Sequence, residues 1–296
     1  MTLKLDHIVI AVHDLERSIA DYTALGFQVL RGGDHPGRVT HNALVVFDDG
    51  VYFELIAFRE PAPAERWWQL LQQHGEGIVD FALLPQDTAT TVASALSRGL
   101  ALQGPLEGGR VRPDGERLRW QTARPASADL PFLCGDLTPR ALRVPEGAVR
   151  AHSNGAQGVA SLAIAVHDLD ATLERWRALL GGSPGTAEAH VGEALPLPGA
   201  DQRVAVIQLG DSAIVLASPR DVASERASRL AQRLALRGEG PYALVLRTDD
   251  PRQTSGALDA GRAHGALIEF ELVRAAPSGD TLARSQIGAA ERTVGG

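Results

Sequence analysis

The first apolar run of the chain, Leu5 to Val12, is interrupted only by Asp6 and His7. It passes through His13-Asp14 into a stretch where Ile19, Tyr22 and Leu25 recur three residues apart. A β-branched run followed by helical periodicity predicts a strand, an acidic helix start and an amphipathic helix. The unit repeats. Ile10-Ala11-Val12-His13-Asp14-Leu15-Glu16 returns as Ile164-Ala165-Val166-His167-Asp168-Leu169-Asp170, and from residue 10 to residue 164 the offset is 154. The second helix carries Leu173, Trp176 and Leu180. Two weaker echoes are Val79–Leu84 running into a helix over Thr88–Arg98, and Tyr242–Thr248 running into a helix over Arg252–His264. Pro251 opens the last helix, where its missing N–H costs nothing.

Alternating segments follow each helix. In the first unit they predict strands at Gln28–Arg31, Asn42–Phe47 and Val51–Phe58, the last two joined through Asp48-Asp49-Gly50. In the third unit, Arg203–Leu209 and Ala213–Ser218 flank Gly210-Asp211-Ser212 in the same way. The pattern therefore predicts an α+β fold of four βαβββ modules, near residues 3–58, 77–135, 159–219 and 240–290. Paired, they give two cup-shaped domains, 1–143 and 159–296, with a polar, glycine-containing linker at 144–158.

Composition narrows the function. A length of 296 residues with 44% hydrophobic and 22% charged residues suits two domains with real cores. The net charge of −7 is spread along the chain, and no basic face suggests nucleic acid. The single cysteine, Cys134, excludes a disulfide framework and a thiolate cage. No run of about eighteen apolar residues occurs, and the N-terminal segment has no signal-peptide pattern, so a cytoplasmic protein without a membrane partner is expected. Dinucleotide, P-loop and nucleophile-elbow motifs are all missing.

Two polar residues stand out inside apolar strands: His7 in Leu5–Ile10 and Glu54 in Val51–Phe58. A buried carboxylate there needs a partner or an ion. Imidazole nitrogen with carboxylate oxygen suits Fe²⁺, Mn²⁺, Co²⁺, Ni²⁺ or Zn²⁺. Alternatively, the two side chains hydrogen-bond each other and hold nothing.

Paired βαβββ units with a His in the first strand and a Glu in the fourth resemble the vicinal oxygen chelate superfamily. The run Gly32-Gly33-Asp34-His35-Pro36-Gly37-Arg38-Val39-Thr40-His41-Asn42, with Tyr52-Phe53-Glu54-Leu55-Ile56, resembles its glyoxalase-like group. The resemblance covers nearly the whole chain. It implies a metal-binding cup shared by two modules, with His7 and Glu54 as ligands. The implied reaction is of lyase, isomerase or dioxygenase type, on a small molecule that chelates the ion through adjacent oxygens. Aligning Asp14 with Asp87 puts Asp80 at the place of His7 in the second module, as a third metal ligand. This departs from the family's usual His or Gln, and Leu130–Cys134 supplies no fourth-strand carboxylate.

Glu54 and His41 are the catalytic candidates; Arg38, Asn42 and Trp120 are the substrate-binding ones. His35 is expected in a loop, Trp67 and Trp68 in packing, and the repeated His13 and His167 in structural roles. In the second half Ser161, Val215 and Ala243 stand where His7, Glu54 and Asp80 stand in the first. That half is expected to hold no metal and to cover the first or form a homodimer. The rival reading is a metal-free protein of the bleomycin-resistance type that sequesters a small molecule.

Overall fold

The repeated His-Asp pairs end strands and start helices for a simple reason: each aspartate is an N-cap. Asp14, Asp87 and Asp168 accept hydrogen bonds from the backbone N–H of Arg17, Thr90 and Ala171, three residues on. The side chains of His13 and His167 point to solvent, and their backbone N–H groups donate to Glu76 and Glu239 at 2.7 and 2.8 Å. The computed structural model describes residues 3–181, 189–197, 200–220 and 228–273.

The first module comprises β1 (Lys4–Ala11), α1 (Leu15–Ala24), β2 (Leu30–Asp34), β3 (Thr40–Val46) and β4 (Tyr52–Phe58). Helix α2 (Arg66–His74) leads to the second: β5 (Gly77–Leu84), α3 (Thr88–Ser97), β6 (Gln103–Val111), β7 (Arg117–Arg124) and β8 (Phe132–Asp136). The eight strands close into a barrel in the order β1-β4-β3-β2-β6-β7-β8-β5. Trp67 and Leu71 of α2, four residues apart, pack into it against Val9, Ala11 and Phe132.

Past α4 (Arg140–Arg143) comes the third module: β9 (Ala156–Ala165), α5 (Leu169–Leu180), β10 (Ala189–Val191), β11 (Leu195–Pro196), β12 (Gln202–Leu209) and β13 (Ser212–Pro219). Then follow α6 (Arg229–Arg237), β14 (Gly240–Thr248) and β15 (Leu267–Leu272). These strands form an open sheet, β10-β12-β13-β9-β14-β15, with β11 beside β12. The expected helix over 252–264 is a 3₁₀ turn at Pro251–Ser255 followed by irregular backbone, in a stretch that includes Gly256, Gly261 and Gly265. Residues 274–290 of the expected fourth module lie outside the described residues.

The two halves share one core. Ile8 and Ile10 of β1, Phe81 of β5, Leu162 and Ile164 of β9 and Leu244 of β14 belong to a single apolar cluster. Phe81 stacks on Trp176 of α5 at 6.3 Å. The expected linker at 144–158 is held to the first module by hydrogen bonds. Gln28 donates its N–H to His152 Nδ1 at 2.9 Å, His152 Nε2 donates to the Val46 carbonyl at 3.0 Å, and Asn154 Nδ2 donates to the Leu25 carbonyl at 2.9 Å. No described helix is long and apolar enough to cross a membrane.

Candidate functional site

An extended strand points successive side chains to opposite faces, so Asp6 and His7 should part. They do not. The β1–β5 register slips between Leu5 and His7, leaving Asp6 as the extra residue of a bulge. The slip brings both side chains together, with His7 Nδ1 2.7 Å from Asp6 Oδ2. Asp6 is fully buried and also accepts from Arg143 at 2.8 Å and Arg140 at 2.7 Å. Burial alone would raise its pKa, but Arg143, the His7 hydrogen bond and Arg140 hold it well below the ordinary carboxylate value. As an anion it fixes the proton of His7 on Nδ1 and leaves the Nε2 lone pair free. Tyr52 stacks on the His7 ring at 4.7 Å, Phe132 meets its edge at 5.3 Å, and Arg143 Nη1 donates to the Tyr52 hydroxyl at 2.8 Å.

His7 Nε2 faces Glu54 Oε2 at 3.5 Å, because β1 and β4 run parallel with Val9 opposite Glu54. The other carboxylate oxygen accepts from Asn42 Nδ2 at 2.7 Å and lies 3.6 Å from His35 Nε2. His35 is buried, with its Nδ1 2.8 Å from Thr40 Oγ1. Burial opposes the charge on Glu54, yet His7, His35, Asn42 and Arg110 together pull its pKa below the usual value. Burial pushes the pKa of His35 down despite Glu54, which favours the neutral ring.

The cup is a cavity of about 640 Å³ whose wall includes His7, His35, Asn42, Glu54, Trp120 and Arg110. Gly108 lets the Trp120 indole lie against β6, since a Cβ there would come 2.6 Å from its Nε1. Arg38 stands at the mouth, paired with Glu65 at 2.7 Å. Of the candidates from sequence, His7, Glu54, Asn42, Arg38 and Trp120 therefore line one cavity.

Asp80 and His41 do not join them. Asp80 lies opposite Val9 in the β1–β5 ladder, but its carboxylate is engaged elsewhere. It accepts from the Trp67 indole at 2.8 Å and from Arg66 and Arg124 at 3.3 and 3.2 Å. His41 alternates with Asn42 along β3 and so occupies the outer face.

His35, Asp6, Arg110 and Arg143 are the residues that sequence reasoning passed over. Only His35 had a local signal, between a glycine pair and a Pro-Gly turn. Arg110 arrives from β6 of the second module and Arg143 from α4, which follows that module.

His7 Nε2 and Glu54 Oε2 are placed to hold a divalent ion as a pair, while His35 addresses the other carboxylate oxygen and does not complete a three-ligand group with them. Neither His–Glu separation is a good hydrogen bond. Both are close to the spacing of about 3.4 Å between ligands held about 2.1 Å from a tetrahedral ion. Among the described residues, Asp6, His7 and Cys134 also bring possible ligand atoms within 4.8 Å of one another. That trio is a poor cation site, because two arginines already occupy Asp6 and burial pushes the Cys134 thiol up to about 12.

A family model described as a glyoxalase-like domain matches residues 5–180. No curated protein matches the chain in sequence. Among solved structures, a hypothetical protein from Staphylococcus aureus is 14% identical with a TM-score of 0.67, covering 92% of this chain and 100% of its own. A mutant of 4-hydroxymandelate synthase from Streptomyces coelicolor is 15% identical with a TM-score of 0.57, covering 99% and 100%. A xylose isomerase-like TIM barrel/4-hydroxyphenylpyruvate dioxygenase fusion protein is 14% identical with a TM-score of 0.59, covering 97% of this chain and 51% of that one. At such identities the likeness is one of fold. The family model spans more than half of the sequence, and the chain belongs to the glyoxalase-like domain family, on the vicinal oxygen chelate fold.

Proposed function

We propose that the protein is a divalent-metal enzyme of lyase, isomerase or dioxygenase type acting on a small molecule with two adjacent oxygens. One observation carries this reading. His7, with Nδ1 committed to Asp6, aims Nε2 at the Glu54 carboxylate in the wall of a substrate-sized cavity. His7 and Glu54 would hold the ion, with His35 on the far oxygen of the carboxylate. A bound Fe²⁺, Mn²⁺, Co²⁺, Ni²⁺ or Zn²⁺ supplies Lewis acidity toward a substrate oxygen.

The side chains do the rest. Tyr52 and Phe132 fix the His7 ring, and Asp6 sets its tautomer. Asn42 orients Glu54 through a single donor. Trp120 and Ile56 give the cavity apolar wall, and the Arg38–Glu65 pair flanks its entrance. Glu54 remains an anion at neutral pH and can take a proton on a carboxylate oxygen when a substrate presents one.

The 2.7 Å Asn42–Glu54 hydrogen bond also favours a second reading, in which Glu54 is satisfied by protein and the cup binds a small molecule without metal. Thermal unfolding of wild type and Glu54→Gln, each with added divalent ions and with chelator, separates the two. Metal-dependent stabilisation that disappears in Glu54→Gln supports the enzyme. A wild type indifferent to every ion, with a mutant that melts lower, sinks it in favour of metal-free binding.

A further inference from the structure

The cations around the cup differ in how they are balanced, and only Arg143 and Arg110 are buried. Arg143 and Arg140 pair with Asp6 and Asp136, Arg66 and Arg124 with Asp80, and Arg38 with Glu65. Arg110 on β6 pairs with no carboxylate among the described residues. It is 4% exposed and lines the cavity. Its Nη1 donates to Asn42 Oδ1 at 3.4 Å and its Nη2 to the Arg143 carbonyl at 3.2 Å, while Nε has no partner. Both bonds are at or beyond the long end for N–H···O.

Two features make room for this cation. A Cβ on Gly32 would come 2.7 Å from Arg110 Nη1 and 1.9 Å from Asn42 Oδ1, so β2 has glycine where the guanidinium and the amide pass. Asn42 also stands between the cation and the nearest buried carboxylate, accepting from Arg110 and donating to Glu54. Glu54 is thereby kept facing His7 and His35 rather than collapsing onto the arginine. A buried charge without a counter-ion is costly, and a ligand that brings the opposite charge removes the cost.

We infer that the substrate is a small carboxylate anion whose charge is taken up by Arg110. A guanidinium matches a planar carboxylate through two parallel N–H bonds, and one unpaired cation calls for one negative charge. Trp120, Phe132 and Ile56 in the same wall leave room for an apolar body on the acid. The placement of the acid beside the Glu54–His7 edge rests on the metal-enzyme reading; the charge assignment rests on Arg110 alone.

Isothermal titration calorimetry on the full chain tests this, once chelated and once loaded with Mn²⁺. The probes are phenylglyoxylate and pyruvate, their neutral amides, and inorganic phosphate. Both acids should bind, and the amides should bind about tenfold or more weaker, the size of a hydrogen bond to a charged group. Arg110→Gln should lose the preference for acid over amide, keep its Mn²⁺ uptake, and melt no lower than wild type without ligand. Arg110→Lys retains the charge and should keep part of the preference, which covers a glutamine variant that fails to fold. Undetectable acid binding, equal affinity for acid and amide, an unchanged preference in both variants, or phosphate as the tightest ligand each overturns the inference. So does a glutamine variant that folds but melts well below wild type, since that marks Arg110 as a structural partner of Glu54. Acid preference that depends on Arg110 in a protein that takes up no metal removes the metal reading and leaves this one standing. Metal uptake without acid preference does the reverse.

Discussion

The two halves of the molecule use the same ladder and put opposite chemistry on it. In the first, Val9 of β1 lies opposite Glu54 of β4 and Asp80 of β5; in the second, Ala163 of β9 lies opposite Val215 of β13 and Ala243 of β14. Even the bulge is repeated. The β9–β14 register slips between Ser161 and Val159, leaving Ala160 where the first half has Asp6. The bulge therefore belongs to the fold, and only the first half uses it to place a charge behind a histidine. Both halves pack a helix on this ladder, Trp67 and Leu71 of α2 against Val9 in the first and Leu230 and Leu234 of α6 against Ala163, Val204 and Ala217 in the second. The same backbone position tolerates a carboxylate or a valine, depending on what the facing side chains supply.

The sharpest way to break that comparison is at the bulge. Asp6→Asn leaves Arg143 and Arg140 short of a buried counter-charge and should cost about 3–5 kcal/mol, read as a lower urea midpoint at neutral pH. A loss under about 1 kcal/mol would make the network an ornament of the surface type. Next, Leu234→Ala should cost about 2–4 kcal/mol by opening a cavity in the apolar half. Metal uptake by the folded variant should stay at the wild-type level; a fall would couple the second half to the site.

Glu54→Val gives the first half the side chain of the second. Measured with chelator, its stability should fall by about 1–3 kcal/mol, since the buried Asn42 donor loses its acceptor and a small cavity opens, while divalent-ion stabilisation vanishes. A larger drop would mean that Glu54 is a structural partner. The smallest effect concerns His152, whose burial lowers its pKa against the pull of the Val46 carbonyl. Gln28 N–H donates to its Nδ1, so the folded ring is neutral. The unfolded chain takes up the proton first, so stability present above about 6.5 is lost as pH falls through that value toward the folded one. Between pH 7.5 and 5.0, His152→Gln should lose less melting temperature than wild type; equal slopes would refute the assignment.

Much of this was legible in the sequence, for local reasons. The 154-residue repeat carried the register, so Ser161, Val215 and Ala243 fall opposite the partners that their counterparts predict. Aspartate N-caps announced three helices. What failed was whatever depends on the third dimension or on broken alternation. Strict alternation separates Asp6 from His7, and the bulge that joins them leaves no mark in composition. Asp80 stood in the right register, yet Trp67 and two arginines from distant segments take its oxygens. His35 lies in a loop where no periodicity applies, and its approach to Glu54 follows from the path of β2 into β3. Arg110 looked like any strand arginine until its burial was seen.

The common core has a thermodynamic consequence. Since Ile8, Phe81, Trp176 and Leu244 belong to one cluster, neither half has a hydrophobic interior that is complete without the other. Heat should therefore melt the protein in one cooperative step, with calorimetric and van't Hoff enthalpies in agreement. The half with Val215 in place of Glu54 would then still set the temperature at which the cup of the other is lost.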